Sequence, residues 1–283
     1  MGAIVIENDN TQNSVLRKVW TIELEILDVI DHICRENSIH YSLAYGTLLG
    51  AIRHQGFIPW DDDIDVLMSR NDYERFRQVW KEEAVIDYDL VDREGYSDYP
   101  NNFMKIVKKH TTFLQKESDR EKSFPKGIFI DIFPADRFAP GPIRRKIQFI
   151  ACLINMLLTR GYGSGNGGAY SVVENIILKS PAKLREKWRL SSQRFIEKWD
   201  DRENLPFLVP VTFSECKCVY PSNMLDDLVL CEFQGNKYYS VKDYDTVLRI
   251  MYGDYMTLPP EEEQTWTHHP ILLDFEHDYE ELQ

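Results

Sequence analysis

Four carboxylates crowd into five positions at Asp61, Asp62, Asp63 and Asp65. Their frame is otherwise apolar, with Phe57-Ile58-Pro59-Trp60 before them, Ile64 among them and Val66 after them. Two like unit charges ~4 Å apart repel by roughly 4 kcal/mol at an effective dielectric near 20. A chain that folds such a run beside its core therefore needs a cation there, and an idle surface loop would not sit in so apolar a setting. If residues 63–68 are extended, the two-residue period of a strand puts Asp63 and Asp65 on one face and Ile64, Val66 and Met68 on the other. Two same-face carboxylates bracketing a buried aliphatic can hold a divalent ion while the strand stays anchored. Oxygen-only ligands favour Mg²⁺ or Mn²⁺. Asp61 and Asp62 are read either as groups supporting those ligands or as solvated loop acids.

Two further features extend this run. Upstream, Gly46-Thr47 is expected to close a strand at 41–45 and open a short helix at 48–54, where free backbone N–H groups and the positive dipole end suit a phosphate. Downstream, Asp131 interrupts the apolar strand Ile128-Phe129-Ile130-Asp131-Ile132-Phe133. An ionised carboxylate in that setting is expensive without a partner. Asp131 is thus a candidate third metal ligand, with pairing to an arginine as the alternative. Arg53 and Lys105 are candidates for neutralising phosphate, with surface solvation as the alternative for each.

The rest of the chain supplies a scaffold for these groups. Apolar residues at helical spacing predict a helix over 14–37, capped by Ser14, and another over 73–83. Strands are expected at 88–91, 103–107, 112–115 and 128–133, then near 209–219 and 228–239, the last folded into a hairpin at Gly235-Asn236. Helices are expected at 182–199 and 244–251. The glycine-rich stretch 161–168 reads as a linker or lid. The pattern describes an α+β fold, a mixed sheet with helices packed on it. Three parts are distinguished: a catalytic core at 1–140, a basic helical insertion at 141–205 and a C-terminal part at 206–283 that completes the same unit.

A net charge of −13 over 283 residues speaks against nucleic acid as a partner. Residues 101–200 nonetheless hold 19 Lys and Arg against 9 Asp and Glu. This basic island contains Arg144-Arg145-Lys146 followed by a twelve-residue run, 147–158, that is apolar except for Gln148 and Asn155, too short to span a bilayer. Residues 143–160 and 183–198 read either as a surface lying against an anionic membrane or as a core helix beside a solvated basic one. The N-terminus lacks the basic and long apolar regions of a secretory signal, so a cytoplasmic location is expected. Five scattered cysteines make a disulfide framework unexpected. Cys216, Cys218 and Cys231 are three thiols at a tighter spacing than zinc sites use, so packing as small apolar groups is expected rather than structural zinc.

A Gly-Ser/Thr turn followed by an Asp-hydrophobic-Asp pair, with a later acid on another strand, resembles the nucleotidyltransferase superfamily. Within it, Gly46-Thr47-Leu48-Leu49-Gly50-Ala51-Ile52-Arg53 running into Gly56-Phe57-Ile58-Pro59-Trp60-Asp61-Asp62-Asp63-Ile64-Asp65-Val66 resembles the LicD family of phosphocholine transferases, relatives of the fukutin-type transferases. The resemblance implies a nucleotidyltransferase-like core and metal-dependent transfer of phosphocholine, or a similar phospho-alcohol, from CDP-choline or another CDP-alcohol. The acceptor would be a sugar hydroxyl of a cell-surface glycan such as lipopolysaccharide or teichoic acid, or its lipid-linked precursor, with CMP released. Asp63, Asp65 and Asp131 would be metal ligands, Asp131 alternatively the base. Gly46, Thr47, Arg53 and Lys105 would serve the phosphates. The same acids would serve a nucleotidyltransferase releasing pyrophosphate, and a non-catalytic glycan-assembly subunit is the reading from another class. Choline calls for an aromatic cage, for which Tyr45, Trp60 and Trp266 are conceivable walls. His268 and His269 are read as metal-binding or proton-transfer groups, or as a polar turn before Pro270.

Overall fold

The computed structural model describes residues 9–83, 85–163, 165 and 168–283. The N-terminal stretch 1–8 and part of the glycine-rich loop lie outside them. The scaffold begins with a 28-residue helix, α1 (Asp9–Glu36), whose buried stripe runs through Leu16, Val19, Ile26, Ile30 and Ile33. The helix is already under way at Ser14, which is therefore not its cap.

Next come β1 (Ser42–Leu43), α2 (Tyr45–His54), β2 (Asp65–Ser69), α3 (Arg70–Glu83), β3 (Tyr88–Val91), β4 (Met104–Lys108), β5 (Thr112–Leu114) and β6 (Phe129–Arg137). The main sheet orders these as β1-β2-β6-β4-β3. β2 and β6 are parallel, while β4 runs antiparallel to β6. This confirms the α+β class with its mixed sheet. Ile64, Val66, Met68, Ile106, Ile130 and Ile132 are buried with Tyr73, Phe76 and Trp80 of α3 and the middle of α1 in one large cluster. The hydroxyl of Ser69 accepts from the Asp72 N–H at 3.1 Å and so caps α3.

Two local expectations are corrected here. The strand proper is Ser42–Leu43, Ala44 is the extended N-cap, and helix α2 starts at Tyr45, so Gly46-Thr47 lies inside its first turn rather than ending a strand. Strand β2 starts at Asp65, which leaves Asp63 in the irregular segment before it.

The second half adds α4 (Pro142–Arg160), α5 (Ala169–Leu178) and α6 (Ala182–Glu197), then β7 (Phe207–Leu208), β8 (Leu228–Phe233), β9 (Asn236–Val241), α7 (Tyr244–Tyr252) and β10 (Leu272–Asp274). Helix α5 fills a stretch with no predicted element. Proline at its first turn and Gly161 at φ 79° beyond its end delimit α4. Gln148, buried on α4, fixes that helix by donating to the Arg137 and Ile196 carbonyls and accepting from the Ala139 N–H. β7 pairs with the end of β6, but residues 209–219 do not form the expected strand and instead turn through a short 3₁₀ helix at Glu215–Lys217. The β8–β9 hairpin turns at Gln234-Gly235, one residue earlier than expected. Both residues have positive φ, 52° and 80°, as a two-residue hairpin turn of this hand requires. The hairpin docks on α2 and β1: the Gln234 N–H donates to the Gln55 carbonyl and the Val241 N–H to the Ser42 hydroxyl. β10 pairs with β5, which brings the C-terminal segment back to the sheet. Among the described residues, no helix is long and apolar enough to cross a membrane.

Candidate active site

Strand register builds the centre of the site. Asp65 on β2 is the partner of Asp131 on β6, and Asp131 is in turn the partner of Lys105 on β4. Three charged side chains thus stand in one row across the sheet, on the face opposite the Ile64–Val66–Ile132 core. The Lys105 ammonium lies 2.9 Å from Asp131 Oδ1 and 3.1 Å from the centre of the Phe129 ring, both of its partners being buried. Asp131 therefore pairs with a lysine, where an arginine was the alternative to metal. Lys105, expected as either a phosphate group or a solvated one, is buried rather than solvated.

The acidic segment folds over this row. Thr47 does not offer its hydroxyl to solvent: it accepts from the Asp65 N–H at 2.8 Å and so ties α2 to the start of β2. A Cβ on Gly46 would meet Asp61 Oδ2 at 2.5 Å, so the glycine lets that carboxylate close against the helix start. Tyr45, just before it, has φ 45°, a costly conformation for a tyrosine. The Trp20 indole donates to the Asp61 carbonyl at 2.8 Å.

Asp62 is 1 % exposed, which removes the solvated-loop reading for it. It accepts from the Thr267 N–H at 3.1 Å and the His268 N–H at 3.1 Å. The His268 Nδ1 lies 3.3 Å from Asp62 and 3.7 Å from Asp63. Burial opposes charging of that imidazole, but the Asp62 hydrogen bond and the Asp63 charge override it, so His268 titrates above its ordinary value. His269 is exposed, with φ 33°.

The acids here are held under mutual pressure. Burial and the neighbouring charges of Asp61 and Asp62 push Asp63 well above the usual carboxylate range, although His268 works the other way. Burial, then Asp63 and Asp131, do the same to Asp65. Asp61 is pushed up to about 6, chiefly by burial. A bound cation would relieve this pressure, and the carboxylate oxygens are donors that suit a hard divalent metal. Among the described residues, the trio in this region whose ligand atoms all lie within 4.8 Å of one another is Asp62, Asp63 and His268. The expected trio of Asp63, Asp65 and Asp131 is not gathered that closely.

Two acids were missed by sequence reasoning. Glu23 of α1 is 2 % exposed, and one of its carboxylate oxygens has no hydrogen-bond partner. Burial first, then Asp63 and Asp62, raise it well above its ordinary value. The signal was present: Glu23 occupies a slot of the buried stripe 16-19-23-26-30, where an apolar residue belongs. Glu215 also has a buried oxygen without a partner. Its charge, after burial, helps raise the Tyr45 hydroxyl and that of Tyr252, on which Asp65 and Asp61 also act. No local pattern marks Glu215, because an irregular loop delivers it.

Other expected residues lie elsewhere. The Arg53 guanidinium donates to the Tyr255 carbonyl at 2.9 Å. Trp60 packs beside His54, with rings 6.4 Å apart. Trp266 is buried in a second apolar cluster with Phe113 and Phe129, while Tyr45 packs edge-on against Phe133. The three proposed cage walls are thus distributed rather than gathered. Cys216 is buried in a third, small cluster beside Cys152.

A mixed sheet carrying acids on adjacent parallel strands, with a Gly-Thr helix start tied to the first of them, defines a nucleotidyltransferase-like domain. The sequence model described as "LicD/FKTN/FKRP, nucleotidyltransferase domain" matches residues 38–141, which include the acidic segment, Lys105 and Asp131. A lipopolysaccharide cholinephosphotransferase LicD from Haemophilus influenzae is 31 % identical over 257 residues, covering 88 % of this chain and 94 % of that protein. The chain belongs to the LicD family. Uncharacterized proteins of Rickettsia prowazekii and Rickettsia typhi are 28 % and 39 % identical over 113 and 103 residues. These shorter matches cover 38 % and 36 % of this chain, and 42 % and 30 % of the respective relatives.

Proposed function

We propose that this protein transfers phosphocholine, or a similar phospho-alcohol, from a CDP-linked donor to a sugar hydroxyl of a cell-surface glycan or its lipid-linked precursor, releasing CMP at the inner face of the membrane. The observation that carries this reading is the row of Asp65, Asp131 and Lys105 across three strands, in a chain similar over most of its length to a lipopolysaccharide cholinephosphotransferase. In the reaction the acceptor oxygen forms a bond to the phosphorus bearing the alcohol, and the bond from that phosphorus to the CMP oxygen breaks. Asp131, paired with Lys105, would take the acceptor proton. Asp63 and Asp65 would hold Mg²⁺ or Mn²⁺, which supplies charge neutralisation to the diphosphate. The first turn of α2, whose N-cap Ala44 supplies no side-chain cap, would offer its N–H groups to the diphosphate, and Gly46 lets Asp61 come close to it. Glu215, with a buried oxygen that has no partner, would offer a negative charge to a cationic alcohol.

The test is a panel of CDP-alcohols incubated with the protein and Mg²⁺, scored for CMP with and without glycan acceptors. CDP-choline should give CMP, and Asp63→Ala or Asp65→Ala should lower the rate by about 10³-fold or more, a scale typical of lost electrostatic stabilisation. Pyrophosphate release from a nucleoside triphosphate would move the assignment to a nucleotidyltransferase. Full function of both variants in cells would remove the catalytic reading altogether.

A further inference from the structure

A groove of about 670 Å³ opens between α4, α5 and the edge of the sheet, and Lys105 is part of its wall. Because the same lysine contacts Asp131, the groove meets the acid centre at one end. Its sides are largely aliphatic and aromatic, with Leu153, Ile154 and Leu157 from α4, Ile177 from α5, and Phe103 and Phe124 from the sheet side. Asn102, Gln115, Lys116, Asp119 and Arg160 also line it, and the apolar stretch between the helices suits a hydrocarbon chain.

The outer end of the groove continues onto an apolar surface. Ile143, Ile147 and Ile150 follow one another along one side of α4 and are exposed, Ile143 by 74 %. Val172, Val173 and Ile176 do the same on α5, Ile176 by 65 %. Ile150 and Val173 belong both to this surface and to the groove, so the two are continuous. Arg144 and Lys146 are exposed beside the α4 stripe, in the segment where basic residues outnumber acids. Helix α6, by contrast, turns Ser192 and Ile196 inward, and Asn155 of α4 donates to its Arg189 carbonyl. An apolar stripe with basic flanks, on helices that do not cross a bilayer, is the pattern of a surface lying in the headgroup region of an anionic membrane.

The geometry points to one occupant: α4 and α5 seat on an anionic bilayer, and the groove takes the hydrocarbon chain of a membrane lipid whose polar head is presented at Lys105 and Asp131. That the head carries the acceptor hydroxyl rests on the proposed function; seating and chain binding do not. The acceptor class would then be a lipid-anchored one, taken from the membrane surface rather than from solution.

The test uses the full chain without nucleotide. It should co-sediment with vesicles of phosphatidylcholine containing about 30 mol % phosphatidylglycerol, and at least about tenfold more weakly with phosphatidylcholine alone. Ile147→Asp with Ile150→Asp should abolish sedimentation, whereas Ile86→Asp, at an exposed isoleucine outside this surface, should not. A dansyl-labelled C11 fatty acid should fluoresce in the groove of the wild type, and Ile154→Glu should weaken its binding by at least about tenfold. Unchanged melting temperatures show that the variants are folded, as expected for the exposed Ile147 and Ile150; for the half-buried Ile154 the same measurement separates lost binding from lost folding. Sedimentation that ignores the α4 variant or the anionic lipid overturns the membrane seat. A wild-type dimer that the same variant dissociates overturns it too, since a second copy would then cover the stripe. Probe binding unaffected by Ile154→Glu overturns the chain site. Release of CMP from CDP-choline by hydrolysis, measured without vesicles, is scored separately. Its absence would count against the proposed function, while sedimentation and probe binding would still decide the lipid reading.

Discussion

The residues that set this site apart are those where local preference yields to the needs of charge. Gly46 is such a position: alanine there would favour α2 by roughly 0.5–1 kcal/mol of helix propensity, yet its Cβ would meet Asp61 Oδ2 at 2.5 Å. Gly46→Ala should therefore leave the melting temperature nearly unchanged and lower CMP release by at least about tenfold, because Asp61 is driven from its place. Retention of wild-type turnover would show that the Asp61 carboxylate can move without consequence. Glu215 is judged by a different readout. If its charge faces the cationic alcohol, Glu215→Gln should raise KM for CDP-choline by about tenfold, a loss of roughly 1.4 kcal/mol. KM for a CDP-alcohol without a positive charge should stay the same, and an equal rise for both donors would assign Glu215 to the loop's structure instead.

At the scale of elements, α3 is locked to the end of β6 by a buried fork: Arg70 reaches Asp136 through Nε at 2.8 Å and Nη2 at 2.9 Å. Asp136 is fully buried and has Asp200 as an acidic neighbour. Burial first, then Asp136, push the Asp200 carboxyl up to about 9 from an ordinary 3.8, while one of its oxygens accepts from the Arg137 N–H at 2.7 Å. The folded chain thus holds a proton that the unfolded chain has lost, so Asp200 makes stability fall as pH rises from about 4 to about 9. Urea denaturation at pH 5 and pH 8 should show a larger drop for the wild type than for Asp200→Asn, and equal drops would mean that Asp200 is ionised in the fold. The elements themselves were legible to different degrees, for physical reasons. Periodicity located α3, which buries Tyr73, Phe76 and Trp80, and the continuous apolar run located β6, which is buried on both faces. Periodicity failed at 209–219, where apolar residues pack from an irregular path, and it placed Gly46-Thr47 after a strand because the extended run, which Ala44 continues by donating to the Asp65 carbonyl, ends where α2 begins at Tyr45.

Across the whole molecule, the site depends on contacts that no window of sequence can display. The acidic run was readable because its charges are adjacent, and Asp131 because it breaks an apolar strand. The pairing of Asp131 with Lys105 is a matter of register, and the buried Glu23 comes from a helix about forty residues before the acids whose charge, after burial, raises it. The longest such link joins Asp62 to the tail. With 1 % exposure, Asp62 does not reach solvent, and its carboxylate is occupied by the N–H groups of Thr267 and His268, which places the His268 imidazole 3.7 Å from Asp63. The same tail is held from the other side by β10 on β5, so Asp62 need not determine whether the tail is attached, only where its first residues lie. Asp62→Ala would leave the backbone donors of the exposed Thr267 and half-buried His268 without this carboxylate, each at less than the roughly 1–3 kcal/mol of a fully buried group, and would release His268 from Asp62. Hydrogen exchange at Thr267 and His268 should accelerate while protection of Leu272 to Asp274 persists, and turnover should fall with it. If exchange at 267–268 were unchanged in the variant, the carboxylate would not be what fixes the tail over the site.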